Sequence, residues 1–487
     1  MRRSSFKLAP LLLSFGLLLT ACQSGDSSSK VSPGEPSTGT STTASRSPSG
    51  QTTETVGVQT GSTGTTTLGG GTGTKQPTAP PTTASPPTPT TASTTAPVPD
   101  PEPQGLWDSR FWISTGNGWY GETEEEMRRI IRNHKELGFN SMERIRLTKD
   151  FLDICAENKM YVTTGYMGEK NGDGKTRTEQ DIKEWAEKFS YSPYFLGFIP
   201  WDEPAYDIEI FQHVNQQYKW YRKYDPDRLF MVNLLPSYGA YTWGNGEFAK
   251  YISDFDKIAD LPILGVDFYP FDKNGYADLN TTAMWRDWGY CRKLCVENGR
   301  DLWLYIQGTG WSEEISYWTK GRIAVQMNAA IAFGARRVSY WVSTPLYMDA
   351  SGNKSSLYEA GKDIHTRAQI TGDYLLHKTP DKIYMSGIAA ARRSMYYLDD
   401  ETQSNLISAL PDGNSIVSTF KDGSSRTYLL VVNRSYESAL NSAVRLKSAH
   451  KVSVLDSLTG KEKSVGNSVT SLPVQLQAGE MVLYIVE

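Results

Sequence analysis

The sequence has little with which to hold a metal or to staple a fold. Its four cysteines, Cys22, Cys155, Cys291 and Cys295, include no Cys-x-x-Cys pair and no Cys/His cluster at zinc spacing, so neither a metal centre nor a cofactor is expected. Cys291 and Cys295 stand four apart on a predicted helix, the pattern of two small buried hydrophobes rather than of a disulfide or metal site. Basic charge is not in excess either: 50 Lys and Arg against 54 Asp and Glu give a formal net charge of -4. A phosphate backbone would find no basic surface, and nucleic acid is not an expected partner. Hydrophobic residues are sparse at 38%, because a long polar N-terminal region dilutes a remainder rich in Trp and Tyr. The 487 residues exceed what one ordinary domain needs, so at least two folded units are expected, one with a large core.

Residues 1–22, MRRSSFKLAPLLLSFGLLLTAC, have a basic start and an apolar run short for a membrane span, which is the layout of a secretory signal. Leu19-Thr20-Ala21-Cys22 resembles the lipobox of bacterial lipoproteins. That resemblance implies a lipidated Cys22, an exported chain and a membrane anchor on the extracellular side of a bacterial cell. Residues 23–104 are Ser, Thr, Pro and Gly with almost nothing to bury, and they read as a disordered linker. About 80 such residues span roughly 50 Å as a flexible coil, so the linker is a tether.

From Gly105 onward, short apolar or β-branched runs alternate with longer helical patterns, eight times over. Strands are predicted near 111–115, 139–145, 160–165, 195–201, 228–234, 263–269, 302–307 and 337–342. TEEEMRRIIRNHKELG has acidic residues in its opening turn and Gly138 past its end, as helix ends prefer. SYWTKGRIAVQMNAAIAFGA sets Ile323, Met327 and Ile331 on one face. Eight such units over 105–378 match a (β/α)8 barrel. No glycine-rich phosphate loop follows the first strand, which leaves the nucleotide-binding doubly wound alternative little support. Residues 379–487 turn to short alternating strands separated by PDGN, KDGSS, LTGKE and QAGE, the signature of a small antiparallel β-sandwich. Packing against the barrel and carbohydrate binding are both open as its role. The expected fold class is thus α/β, a barrel followed by a sandwich.

Chemistry in such a barrel collects at the C-terminal ends of the strands. Those ends carry Glu143, Arg144 and Arg146 on the second strand, Asp202 and Glu203 on the fourth and Asn233 on the fifth. The sixth supplies Asp267 and Tyr269, the seventh Gln307, and the eighth Trp341 and Ser343. Carboxylates exchange protons with a glycosidic oxygen, and flat rings stack on pyranose faces, so a mouth of this composition suits a sugar. Trp107, Trp112, Trp119, Tyr120, Trp201, Tyr206, Trp243, Trp311 and Trp341 fall on or near strand ends or their loops. The loop 169–177 spaces Asn171 and Asp173 as calcium loops do but lacks the closing glutamate, and it reads as an ordinary loop.

With Trp201-Asp202-Glu203-Pro204 on the fourth strand, Asp267-Phe268-Tyr269-Pro270 on the sixth and Trp341 on the eighth, the barrel resembles the clan A glycoside hydrolases, especially beta-galactosidase-like bacterial barrels. The resemblance implies Glu203 as acid/base, Asp202 binding a sugar hydroxyl, Tyr269 as the strand-six tyrosine and Trp341 as the sugar floor. It also implies Arg146 as the strand-two arginine, and a β-domain like the trailing sandwich. One position departs: the clan's strand-seven nucleophilic glutamate is Gln307 here, and an amide cannot form a glycosyl ester. Glu313 and Glu314 in the following loop, and Asp267, are the remaining carboxylates; Asn233, Gln307, Trp201 and Trp311 join the expected sugar-binding set. The expected function is a surface-anchored glycoside hydrolase of an extracellular polysaccharide or oligosaccharide. The alternative is a non-catalytic carbohydrate-binding lipoprotein, with Gln307 marking the loss.

Overall fold

Parallel pairing of short, inward-alternating strands organises the larger part of the chain, in a computed structural model that describes residues 107–116, 123–144, 147–165, 177–239, 247–271, 283–308, 318–389 and 392–487. Cys22, the linker, Trp119, Tyr120, Arg146, the loop 169–176, Trp243, Trp311, Glu313 and Glu314 lie outside the described residues. The described residues fall within one unit, Pro101–Glu487.

The barrel strands are β1 (Trp112–Thr115), β2 (Ser141–Arg144), β3 (Tyr161–Thr164), β4 (Phe195–Phe198), β5 (Leu229–Phe230), β6 (Asn233–Leu234), β7 (Ile263–Phe268), β8 (Asp301–Gln307) and β9 (Ala335–Trp341). Their order is β5-β4-β3-β2-β1-β9-β8-β7-β6. β5 pairs with β4 through Gly197–Leu229, and β6 pairs with β7 through Asn233–Gly265. Because only Met231 and Val232 separate β5 from β6, these two are halves of one strand, and the ring closes through them. The predicted fifth strand is therefore two short pieces, and the predicted sixth, seventh and eighth are β7, β8 and β9.

Helices between the strands start and stop where their sequences dictate. In α1 (Glu124–Leu137) Thr123 and Glu126 form a reciprocal capping box, and Gly138 ends the helix at φ 99°, a left-handed conformation that glycine adopts without a Cβ clash. α2 (Lys149–Glu157), α3 (Glu179–Phe189), α4 (Ile208–Tyr224), α5 (Phe248–Ala259) and α6 (Ala283–Asn298) follow in turn. Cys291 and Cys295 are buried in α6 as free thiols. α7 (Lys320–Ala332) buries Ile323, Met327 and Ile331, and α8 (Tyr358–Leu375) closes the barrel segment.

Every second strand residue points inward, and the lower interior is filled. Trp112, Tyr161, Leu229, Met231, Ile263, Trp303 and Tyr305 form one buried cluster, with the Trp303 and Tyr305 rings stacked 6.3 Å apart. The fully buried Arg337 guanidinium is paired with Asp301 at 2.9 Å and lies over the Trp107 and Trp303 rings. Trp107 and Trp112, expected near the mouth, are thus part of this floor. Among the described residues these side chains fill the lower interior, so the barrel is not a pore.

The remaining strands, β10 (Thr379–Met385), β11 (Ile407–Ala409), β12 (Ser415–Lys421), β13 (Thr427–Asn433), β14 (Leu440–Leu455), β15 (Glu462–Leu476) and β16 (Met481–Val486), make one antiparallel sheet. Alternation splits its side chains. Val417, Leu429, Val431 and Tyr484 pack with Val444, Leu472 and Val474 inside the folded sheet; Ile416, Phe420, Leu430, Val432 and Ile485 join the barrel's outer core. Polar contacts tie the seam, with Ser418 donating to the Ala332 carbonyl at 2.7 Å and Asn328 to the Gly479 carbonyl at 2.8 Å.

Candidate active site at the mouth of the barrel

β4 ends at Phe198, and the chain then runs Ile199-Pro200-Trp201 into the two carboxylates. The Pro200 carbonyl accepts from the buried Arg177 guanidinium at 2.6 Å, and Trp201 packs into the hydrophobic core at 6% exposure. Trp201 therefore anchors the turn from behind and does not face the mouth. Asp202 bridges to Asn233, whose Nδ2 donates to Asp202 Oδ1 at 3.0 Å, and the Glu203 amide donates to the Asn233 carbonyl at 2.9 Å. These bonds fix the end of β4 on the start of β6. Glu203 itself sits at φ 50°, a left-handed backbone that costs a non-glycine residue roughly 1–2 kcal/mol.

Opposite stands Asp267, fully buried near the end of β7. Its carboxyl shares a hydrogen bond with Glu203 and takes another from Tyr269, while Oδ1 is buried without a partner among the described residues. Burial, then repulsion from Glu203 and Asp202, holds the Asp267 carboxyl well above the usual range; the hydrogen bond to Glu203 adds to this, and that from Tyr269 opposes it. The Glu203 carboxyl is pushed up to about 7, first by desolvation from the surrounding walls and then by Asp202, against the bond with Asp267. Glu203 still opens on solvent, so of the pair it is the member a ligand reaches. Burial and neighbouring carboxylates thus raise both members of the pair.

A third carboxyl joins them. Glu143 on β2 accepts from Ser339 Oγ at 2.6 Å and from the Tyr305 hydroxyl at 2.9 Å, and burial raises it to about 7, with Asp202 adding to the shift and the two hydroxyls opposing it. A Cβ on Gly116 would lie 3.8 Å from Glu143 Oε2 and 3.3 Å from Trp341 Cε3, so the ends of β1, β2 and β9 meet at one place. Glu143 was legible as a strand-end residue but carried no motif to single it out. Tyr238 was not legible at all. It follows β6, is 40% exposed, packs edge-on to Phe268 at 5.1 Å and senses the charges of Asp267 and Glu203.

Tyr269 and Trp341 are both half-buried, and Tyr269 borders the interior cluster. Tyr206 is tied to α5 instead, donating to Asp254 at 2.7 Å and accepting from Lys250 at 2.5 Å. Gln307 lies at the end of β8 with both amide atoms occupied: Oε1 accepts from the Phe271 amide and Nε2 donates to the Phe271 carbonyl, each at 2.8 Å. Among the described residues no group of three His, Cys, Asp or Glu side chains is arranged to hold a metal ion.

This architecture has solved counterparts. A beta-galactosidase from Bacillus circulans sp. alkalophilus matches with a TM-score of 0.51 at 8% identity, over 78% of this chain and 99% of that one. A beta-L-arabinopyranosidase from Geobacillus stearothermophilus matches with a TM-score of 0.44 at 10% identity, over 78% and 98%. No family model and no curated protein matches the sequence. The likeness is one of fold: a (β/α)8 barrel with a trailing β-domain, shared with a glycosidase.

Proposed function

We propose that the barrel is a glycoside hydrolase acting on an extracellular polysaccharide or oligosaccharide, with Glu203 as proton donor and Asp267 as the second carboxylate. The observation that carries this reading is the meeting of Glu203 and Asp267 at the strand ends of the barrel, both carboxyls held above the ordinary range by burial and neighbouring carboxylates. Such a pair retains one proton at neutral pH. That proton passes from the pair through Glu203 to the leaving glycosidic oxygen as the C–O bond breaks. The ionised partner then either attacks the anomeric carbon or takes a proton from the water that does. Retaining pairs lie about 5 Å apart and inverting pairs about 6.5–9.5 Å, so the separation held with sugar bound decides which of the two routes is followed. Asp202 is held by Asn233 to receive a sugar hydroxyl, and Trp341, Tyr269 and Tyr238 offer ring surface for stacking.

The same proposal extends to the N-terminal region. A lipid on Cys22 would hold the protein on the outer side of a bacterial membrane, and residues 23–104 would let the barrel reach substrate away from it.

One observation favours a second reading, a non-catalytic glycan binder: the end of β8 presents Gln307, and its amide is committed to Phe271. Reducing-sugar release from a panel of plant, fungal and bacterial polysaccharides separates the two. Release that is lost in Glu203→Gln and in Asp267→Asn, with folding and binding retained, supports the hydrolase; binding without release on any glycan supports the binder. Proton NMR of the first-formed anomer would then report the stereochemistry.

A further inference from the structure

A glutamate at the end of β8 would resemble the clan A nucleophile, and the simple account of Gln307 is a lost catalytic group. Its surroundings say otherwise. The Gln307 amide meets the Phe271 backbone with one acceptor and one donor, both at 2.8 Å and both buried. Its own backbone is gripped from α7: the Gln307 amide donates to Gln326 Oε1 at 3.0 Å, and Gln326 Nε2 donates back to the Gln307 carbonyl at 3.3 Å. An ionised carboxylate at position 307 would face the Phe271 carbonyl with no proton to offer, so this double bond is specific to an amide or a protonated acid.

Phe271 follows Asp267 by four residues and is fully buried where the barrel meets the C-terminal sheet. Its ring meets Trp318 at 5.3 Å and Tyr436, from the loop after β13, at 5.7 Å and 90°. The Arg322 guanidinium of α7 lies over both the Phe271 and Tyr436 rings, at 5.4 and 5.3 Å. A Cβ on Gly321 would be 2.2 Å from the Tyr436 carbonyl, which shows how closely α7 and that loop approach.

We propose that Gln307 is a positioning residue, whose amide pins Phe271 and thereby fixes the segment from Asp267 to Phe271 against α7 and the C-terminal sheet, so that Asp267 meets Glu203. The role of Asp267 in turnover rests on the glycosidase reading above, but the clamp itself does not. On this account the trailing β-domain is part of what shapes the site, because Tyr436 backs the residue that the clamp holds.

The test uses the full chain and a readout independent of turnover. The protonated-carboxyl stretch of Asp267, identified by its disappearance in Asp267→Asn, is followed by infrared spectroscopy through a pH titration. Gln307→Leu removes both bonds and is expected to lower the Asp267 titration by more than about one pH unit as the loosened segment admits water. Gln307→Glu keeps the clamp only while the new acid is protonated; it is expected to match the parent protein at low pH and to follow the leucine variant above its own titration. Tyr436→Leu, acting from the other side of Phe271, is expected to shift Asp267 in the same direction by less, and it decides the matter if Gln307→Leu does not fold. Where a cleaved glycan is in hand, kcat falls in Gln307→Leu with the limb of the pH profile displaced. An unmoved Asp267 titration in the folded variants, or faster cleavage by Gln307→Glu than by the parent, overturns the proposal. A shifted titration in a protein that cleaves no glycan upholds the clamp and counts against the hydrolase alone.

Discussion

Asn233 Nδ2 donates to Asp202 Oδ1 at 3.0 Å, linking the end of β4 to the split strand that closes the barrel. The other amide atom of Asn233, Oδ1, is buried without a partner among the described residues. Asn233→Asp places a second carboxyl against Asp202 and removes the donor. It is expected to cost about 1–3 kcal/mol of stability at neutral pH, read by urea unfolding, with less loss at lower pH as the repulsion between the two acids is relieved.

Glu203 is held up to about 7 in part by repulsion from Asp202. If Glu203 delivers the proton, activity declines as pH rises through about 7. In Asp202→Asn that repulsion is gone, the ionised form of Glu203 is less disfavoured, and the alkaline limb moves to lower pH by about one unit. The pH dependence of kcat/KM for the two proteins checks this; a limb that stays in place or moves upward removes Glu203 as the group that sets it.

The left-handed backbone at Glu203 suits asparagine better than glutamate, and asparagine also ends the repulsion among Asp202, Glu203 and Asp267. Glu203→Asn is therefore expected to raise stability by about 1 kcal/mol while abolishing turnover. A lower melting temperature than the parent's would show that the backbone there is not strained by its side chain.

Two histidines are buried as neutral rings. His134 Nδ1 donates to the Ile130 carbonyl (2.9 Å) and Nε2 accepts from Ser343 Oγ (2.7 Å), while His365 Nδ1 donates to the Leu137 carbonyl and Nε2 accepts from the Tyr340 hydroxyl (both 2.9 Å). Burial lowers His134 to about 4 and His365 to about 3. Since the unfolded chain then binds protons that the folded one does not, their contribution is full above about pH 6.5 and falls as pH drops towards 4. The buried carboxyls pull the other way: raised in the folded state, they favour it most below about pH 4.5 and lose that effect as pH rises through 7. The histidine term is isolated by difference. Parent stability minus that of His365→Leu should fall by about 1.4 kcal/mol per pH unit between pH 6.5 and 4, and a flat difference would mean that the ring is already protonated in the fold.

Local pattern carried much of this molecule. Eight apolar runs became the barrel strands because a strand's two-residue period and a helix's 3.6-residue period are written in consecutive residues, and Thr123, Glu126 and Gly138 bound α1 through contacts only a few positions away. The carboxylates after β4 were legible for the same reason. The aromatic residues were not: Trp107, Trp112 and Trp201 read as candidates for the mouth, yet they pack in the interior or behind it, whereas Tyr238 reaches the rim. Chemical type does not say which end of the barrel a ring faces.

By itself the sequence determined the alternation, the helix caps, the place of Asp202 and Glu203 at a strand end, and the presence of glutamine at position 307. Only the closed ring decided that Glu203 meets Asp267, that Glu143 receives the hydroxyls of Tyr305 and Ser339, and that the Gln307 amide is spent on Phe271. Those partners lie 36 to 196 residues apart for the bonds made by Gln307 and Glu143. Their meeting depends on strand register and stagger around the barrel, which couple every strand to its neighbours at once and leave no mark on any single stretch of chain.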